Sequence, residues 1–362
     1  MAGVKIQNNI MKLYPNVSYI FCIWALAVFT VFYLGFSSLP HSGLFANDFL
    51  KSLANWDGGH YLGIADGYDQ AFQYAFFPLY PMLIGLVGKI TGSFLTAGIL
   101  ISIVSSLFAF NLFYQLVEME FNKQYAQKSL LALLFFPMSF YFLTVYSEGL
   151  FFLLTIATFV FVRKRNFALA VIFASLASAT RLAGLAVVFG LFVNLYFTGN
   201  LNRKNWFVIF APLGFILYSF YLYQQTGDPL YFIRAESHWQ RDLTIPGSAI
   251  LDSFRQIMIP GFIAKNFSAF LDFVFVIFGI GLVLKVWRKL SVDYAVFAVI
   301  SLILPLFSPT LLAVPRYLLV IFPIFMVLSF YKNQYILFAY QIFSTLLLAG
   351  FAMLFIAGYW VS

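Results

Sequence analysis

Long apolar runs broken by short polar punctuation set the pattern of this chain. The first run, residues 17–36, is 20 residues long. As a helix it crosses a hydrocarbon core of about 30 Å. It follows Lys5 and Lys12 as a secretory leader would, but it is too long for one and no small-x-small cleavage site follows closely. The pattern therefore predicts an uncleaved first span with its N-terminal end in the cytoplasm. Further spans are predicted at 95–117, 129–145, 148–162, 167–180, 183–198, 206–223, 267–284, 293–307, 317–331 and 335–359, eleven in all. Residues 78–92 are apolar but short, contain Lys89, and are bounded by Pro78, Pro81 and Gly92. Counting them as a span would reverse everything after them, so they read as an interfacial helix along the outer surface.

Charge placement supports this parity. Lys5, Lys12, Lys123, Lys128, Arg163, Lys164, Arg165, Arg203, Lys204, Lys285, Arg288, Lys289 and Lys332 then fall on the cytoplasmic side, with only Glu118, Glu120 and Asp293 beside them. That is the positive-inside asymmetry, and it leaves most carboxylates outside. The chain reads as one integral membrane domain, 1–362. Its exterior loops 37–94, which include the interfacial helix, and 224–266 are long enough to carry function. Short exterior turns surround Tyr146-Ser147-Glu148, Thr180-Arg181 and 308–316. Several predicted spans have about 14–16 residues, roughly 21–24 Å at the helical rise. Either their boundaries are off by a few residues, or their outer ends stop at a polar cavity sunk into the bundle.

Composition narrows the function classes. Hydrophobic residues make up 62% of the chain and charged residues 9%, against about 25% charged in soluble domains. A soluble multidomain enzyme, a nucleic-acid-binding protein and a secreted disulfide scaffold are excluded. The one cysteine, Cys22, cannot form an internal disulfide. The net charge of +8 needs no anionic partner, because cytoplasmic loops of membrane proteins collect Lys and Arg.

Five polar features fall on the predicted exterior side. The first loop runs Asn55-Trp56-Asp57-Gly58-Gly59-His60-Tyr61-Leu62-Gly63-Ile64-Ala65-Asp66-Gly67-Tyr68. Carboxylates interleaved with rings suit a sugar, which offers both apolar C–H faces and hydroxyls. Asp57 and His60 share a face if the stretch is helical. The blander reading is a glycine-rich loop with Trp56, Tyr61 and Tyr68 as headgroup anchors. The second loop holds Arg234, His238, Trp239 and Arg241, a plausible phosphate set because guanidinium forks match phosphate oxygens. A solvated basic patch near lipid headgroups is the alternative. Glu148 and Arg181 are lone charges in apolar surroundings, and Arg316 sits at an outer helix end. Such charges are paired or functional. Their convergence on one face points to an exterior site without naming its reaction.

Trp56-Asp57…His60-Tyr61…Ile64-Ala65…Gly67-Tyr68, followed by Phe76-Phe77-Pro78-Leu79-Tyr80-Pro81, resembles the first luminal loop of PIG-V-like mannosyltransferases. That family includes the second mannosyltransferase of glycosylphosphatidylinositol-anchor synthesis and many prokaryotic relatives. Phe136-Pro137-Met138-Ser139 to Tyr146-Ser147-Glu148, then Ala179-Thr180-Arg181-Leu182-Ala183-Gly184, Gly227-Asp228-Pro229…Trp239 and Pro315-Arg316-Tyr317 resemble its later motifs in the same order. The resemblance implies an all-α polytopic GT-C-type glycosyltransferase. It would take a hexose, mannose first, from a polyprenyl-phosphate donor to a lipid- or glycan-linked acceptor, inverting the anomeric centre. Asp57 takes the catalytic position as general base. Arg234, His238, Arg241 and Arg316 are candidates to stabilise the leaving phosphate. Trp56, His60, Tyr61, Asp66, Tyr68, Glu148, Arg181 and Trp239 would bind substrate or shape the site. Asp66 departs from the usual pattern and is a candidate second carboxylate. The resemblance implies neither cofactor nor metal. The active face would be exterior at a prokaryotic plasma membrane or luminal in the endoplasmic reticulum. A transporter or flippase of an amphiphilic substrate is the competing class; it predicts ionisable residues near mid-membrane.

Overall fold

A computed structural model describes residues 13–361 apart from 44 and 46. The predicted cytoplasmic residues Lys5 and Lys12 lie outside the described residues. In chain order the helices are α1 (Pro15–Ser38), α2 (Phe49–Ser52), α3 (Asp57–Ile64), α4 (Leu79–Thr91), α5 (Phe94–Glu120) and α6 (Lys123–Leu134). Then come α7 (Glu148–Arg163), α8 (Phe167–Ser178), α9 (Gly184–Phe197), α10 (Leu213–Thr226), α11 (Tyr231–Ala235) and α12 (Ser248–Ile257). The last are α13 (Phe262–Lys265), α14 (Phe267–Lys289), α15 (Val292–Ile303), α16 (Val314–Leu319), α17 (Pro323–Leu328) and α18 (Gln334–Ile356). Among the described residues the regular structure is entirely helical.

Five of these elements are long and apolar enough to cross a membrane: α1, α5, α14, α18, and Arg203–Thr226, in which a 3-10 segment leads into α10. α4, α8, α9 and the stretch Val292–Phe307 are apolar but shorter. The chain is a helical membrane protein, but eleven continuous spans are not what it forms. The predicted span 129–145 ends as a helix at Leu134 and continues as irregular backbone with a 3-10 turn at Ser139–Leu143. The span 317–331 divides into α16 and α17. Prolines explain both breaks, since Pro137 and Pro323 lack the donor a helix needs and clash with the preceding turn. The broken backbone is tolerated because protein covers it: Phe136, Met138, Phe140, Phe142 and Leu143 are fully buried.

α7 is the buried centre post. Small residues let α5 approach it closely; a Cβ at Gly149 would lie 2.5 Å from Ser106 Oγ and 2.9 Å from the Ser102 carbonyl. Polar groups gather at its two ends. Glu148 begins the helix and Arg163 ends it; its 16 residues run about 24 Å. At the Arg163 end, the guanidinium bonds both Glu120 of α5 and Asp293 of α15. Asn194 of α9 donates to Asp293 (3.0 Å) and Tyr294 donates to Glu120 (2.7 Å). This network staples four helices.

α4 runs antiparallel to the first half of α5. Tyr80 donates to Ser102 or the Gly98 carbonyl, Ile84 sits beside Gly98, and Phe94 presses on Gly88. Its opposite side exposes Met82, Leu86 and Ile90. The Pro78 end of α4 therefore lies two turns along α5 rather than at its tip. This pairing draws the segment that precedes it, which contains Asp57, toward the Glu148 end of α7.

Candidate active site

Asp57 is held by the backbone around it. Val145 N–H donates to the Leu53 carbonyl (3.0 Å) and Tyr146 Oη donates to the Asn55 carbonyl (3.0 Å). The buried Asn55 amide donates to the Phe355 carbonyl (2.9 Å), tying the loop to α18. Gly58 is tight against Val145, where a Cβ would come within 3.1 Å of the carbonyl oxygen. Trp56 turns the chain with φ +60°, a conformation a bulky residue adopts only under constraint. Its indole donates to the Tyr359 carbonyl (3.3 Å). The next residue, Asp57, then opens α3.

The Asp57 carboxylate meets a chain of charges from distant segments. Arg316 Nη1 donates to Asp57 Oδ2 at 2.6 Å. Arg316 Nε lies 3.5 Å from Glu148 Oε1, and Arg181 Nη1 donates to the same oxygen at 2.5 Å. Ser147 joins them, 3.4 Å from Arg181 and 3.0 Å from the Tyr61 hydroxyl. Glu148 and Arg316 are buried at 1% and 5% exposure, so the low dielectric strengthens each pairing. Rings frame the guanidinium of Arg316, with Tyr146 at 5.4 Å, Tyr141 at 5.6 Å and Tyr317 at 6.0 Å. Such contacts favour the cation.

These groups border a cavity of about 250 Å³. Asp57, Tyr61, Arg181, Glu236, Trp239, Arg241, Arg316 and Tyr317 supply its polar and aromatic wall, and Phe232, Leu182, Leu243, Leu304 and Phe307 its apolar wall. Leu182 follows the end of α8, Phe232 belongs to α11, Leu243 to the loop beyond it, and Leu304 and Phe307 follow the end of α15. The short predicted spans thus have ends at this cavity: Thr180, Arg181, Leu182 and Ala183, and Leu304, Pro305, Phe307 and Ser308, line it directly. Arg241 bonds the Tyr317 hydroxyl (3.3 Å) and lies 3.9 Å from Glu236.

Burial raises the cost of charging Asp57, but the adjacent Arg316 outweighs it and holds the carboxyl below its ordinary range. Glu236 shows the reverse balance: burial pushes its carboxyl up despite the attraction of Arg241. Burial also lowers the His60 imidazole, against the opposing pull of Asp57. Two carboxyls facing one cavity are thus driven apart in acidity by their surroundings.

Asp57, Tyr61, Arg181, Trp239, Arg241 and Arg316 come together on the cavity wall, with Glu148 directly behind them. His60 stands one shell out, its ring 5.3 Å from Phe76 and 5.8 Å from Trp239. Arg234 does not reach the site: it is 75% exposed and pairs with Asp228 at 3.1 Å. His238 stacks on Phe72 at 4.4 Å and is not part of the wall. Asp66 is exposed, and Tyr68 donates to the Phe76 carbonyl (2.7 Å) within an aromatic cluster. Trp56 packs on Trp360 as an anchor. The sequence reading missed Glu236, Ser147 and Tyr317. Phe232, Ile233, Glu236 and Trp239 recur at helical spacing on the cavity side, which leaves Arg234 and His238, four apart, on the other face. Treating 231–239 as helical would have separated them.

The family model described as Mannosyltransferase (PIG-V) matches residues 34–232. The match includes the Asp57 loop, the Glu148 end of α7 and Arg181. No curated protein matches the chain.

Proposed function

This chain belongs to the mannosyltransferase (PIG-V) family and is a membrane glycosyltransferase, and from that premise we propose that the cavity moves a hexose, mannose first, from a polyprenyl-phosphate donor to a lipid- or glycan-linked acceptor. Asp57 is the general base. It takes the proton from the acceptor hydroxyl while that oxygen bonds to the sugar's anomeric carbon. The bond from that carbon to the phosphate oxygen breaks, and its electron pair leaves with the lipid phosphate. A single displacement of this kind inverts the anomeric centre. Arg316, Arg241 and Arg181 meet the charge that develops on the leaving phosphate. Tyr61 and Trp239 supply ring faces for the sugar, and the apolar wall accommodates the start of the lipid. Arg234 and His238 lie outside this set.

The observation that carries this reading is one carboxylate on a cavity wall shared with three arginines from three separate segments. The cavity lies at the Glu148 end of α7, which the charge asymmetry of the loops assigns to the exterior or lumen. The same geometry favours an enzyme over a transporter or flippase, because the ionised groups of α7 cluster at its two ends. The test is Asp57→Asn in membranes supplied with polyprenyl-phosphate mannose, scored as label reaching lipid or glycan acceptors. Removing a general base lowers transfer by about 100-fold or more. Undiminished transfer refutes the assignment.

A further inference from the structure

Arg316 caps the proposed base. Arg316 Nη1 sits 2.6 Å from Asp57 Oδ2, and a carboxylate neutralised at that distance is a poor proton acceptor. Among the described residues no unpaired cation lines the cavity. Arg181 is held by Glu148, and Arg241 faces Glu236, with Asp272 of α14 behind it. Arg316 differs from the other two because it is hydrogen-bonded to Asp57 itself while a second carboxylate, Glu148, stands within reach of its Nε. Its Nε makes no hydrogen bond, and the second oxygen of Glu148, Oε2, has none either, although both are buried. Glu148 Oε1 is 3.5 Å from that Nε, so closing by about half an ångström would make a normal bond. Arg316 can therefore let go of one carboxylate while tightening on the other.

We propose that Arg316 exchanges Asp57 for the donor's phosphate when the donor binds, so that the base is freed only in the loaded enzyme, and that Glu148 is the positioning residue holding Arg316 through the exchange. This rests on the donor and base assignments above. The incoming anion withdraws the guanidinium from Asp57 and adds a negative charge nearby. Both effects raise the carboxylate's proton affinity at the moment the acceptor hydroxyl must be deprotonated. The other groups facing Asp57 are Arg241, Glu236 and His60, with the Tyr61, Tyr141 and Tyr146 phenols. Among the described residues, Arg316 is the cation bonded to it.

The test uses the full chain in nanodiscs with undecaprenyl phosphate as the probe. The ionisation of Asp57 is followed by the infrared carboxyl band that Asp57→Asn removes. Adding the probe is expected to raise the Asp57 midpoint by about 1–3 pH units, the usual worth of one close guanidinium. In Arg316→Gln the midpoint is already high and the probe adds only the smaller shift due to its own charge. Arg316→Lys, which keeps the buried charge should the glutamine variant fold poorly, still shows the upward shift. Glu148→Gln leaves Arg316 to Asp57 alone, so the free midpoint falls and the probe binds more weakly. A purely structural Glu148 would leave the probe's affinity and the size of the probe-induced shift unchanged. Probe that binds while the midpoint stays in place overturns the exchange and spares the donor assignment. Probe that does not bind at all removes both.

Discussion

Replacing Glu148 with alanine tests the charge chain most directly. The Glu148 side chain is 1% exposed, and it is the carboxylate that bonds Arg181, itself 13% exposed. Its loss strands a buried guanidinium and leaves Arg316 with Asp57 alone. Breaking a buried ion pair by deleting one partner costs about 3–5 kcal/mol. By contrast Glu236 stands only 3.9 Å from Arg241 with 36% of its side chain exposed to the cavity, and the desolvation that raises its carboxyl offsets what so loose a pair gains, so it contributes at most about 1 kcal/mol. Reversible unfolding in mixed micelles titrated with dodecyl sulfate, read by tryptophan fluorescence, measures both. Glu148→Ala should lose about 3–5 kcal/mol and Glu236→Ala at most about 1 kcal/mol. The double variant Glu148→Leu, Arg181→Met replaces the pair with apolar groups of similar volume and should recover most of the loss, since the desolvation penalty disappears with the charges. The reasoning fails if Glu148→Ala unfolds within about 1 kcal/mol of the parent, or if the double variant is no more stable than the single one.

Two further outcomes follow from where the arginines lie and from the ionisation of Asp57. Arg241→Ala should lower kcat/KM for a polyprenyl-phosphate sugar by about 10- to 100-fold, the worth of one charge-assisted bond, whereas Arg234→Ala, outside the cavity, should change it less than about threefold; equal losses would place the phosphate elsewhere. Arg316 holds the free Asp57 carboxyl low, so the proposed base stays ionised into acid. Its folded value lies below its unfolded one, so its contribution to stability is present above about pH 4 and is lost as pH falls through the folded value. On the acid side, kcat/KM for the donor should therefore hold level from neutrality to about pH 4. A drop already near pH 6 would point to a different base.

Which parts of this were readable in advance follows from the range of the physics involved. Membrane insertion is a local property of apolar runs, so α1, α5, α14 and α18 could be placed to within a few residues. Positive-inside counting is a sum over loops and is insensitive to details, which is how Asp57, Glu148, Arg181, Arg241 and Arg316 could be put on one face from separate segments. Continuity of the spans was not local. Pro137 and Pro323 break helices that lipid would not tolerate broken, and whether protein covers the break depends on packing that no window of sequence holds. That Arg234 and His238 stand off the cavity wall has a smaller reason, helical turns where the sequence reads as a loop.

The pairing of Arg316 with both Asp57 and Glu148 was beyond any sequence argument, because residues 57 and 316 are brought together only by the pairing of α4 with α5 and the docking of the Asp57 loop on α18. Yet this pairing decides the chemistry. Had Arg316 faced the cavity unpaired, the site would bind phosphate strongly and leave Asp57 to be set by burial, which raises its proton affinity with or without a donor. Shared between two carboxylates, the guanidinium is neither free nor fixed. On the exchange proposed above, the acidity of Asp57 then depends on what occupies the cavity, and the proposed reaction, which deprotonates an acceptor beside a departing phosphate, gains from that dependence.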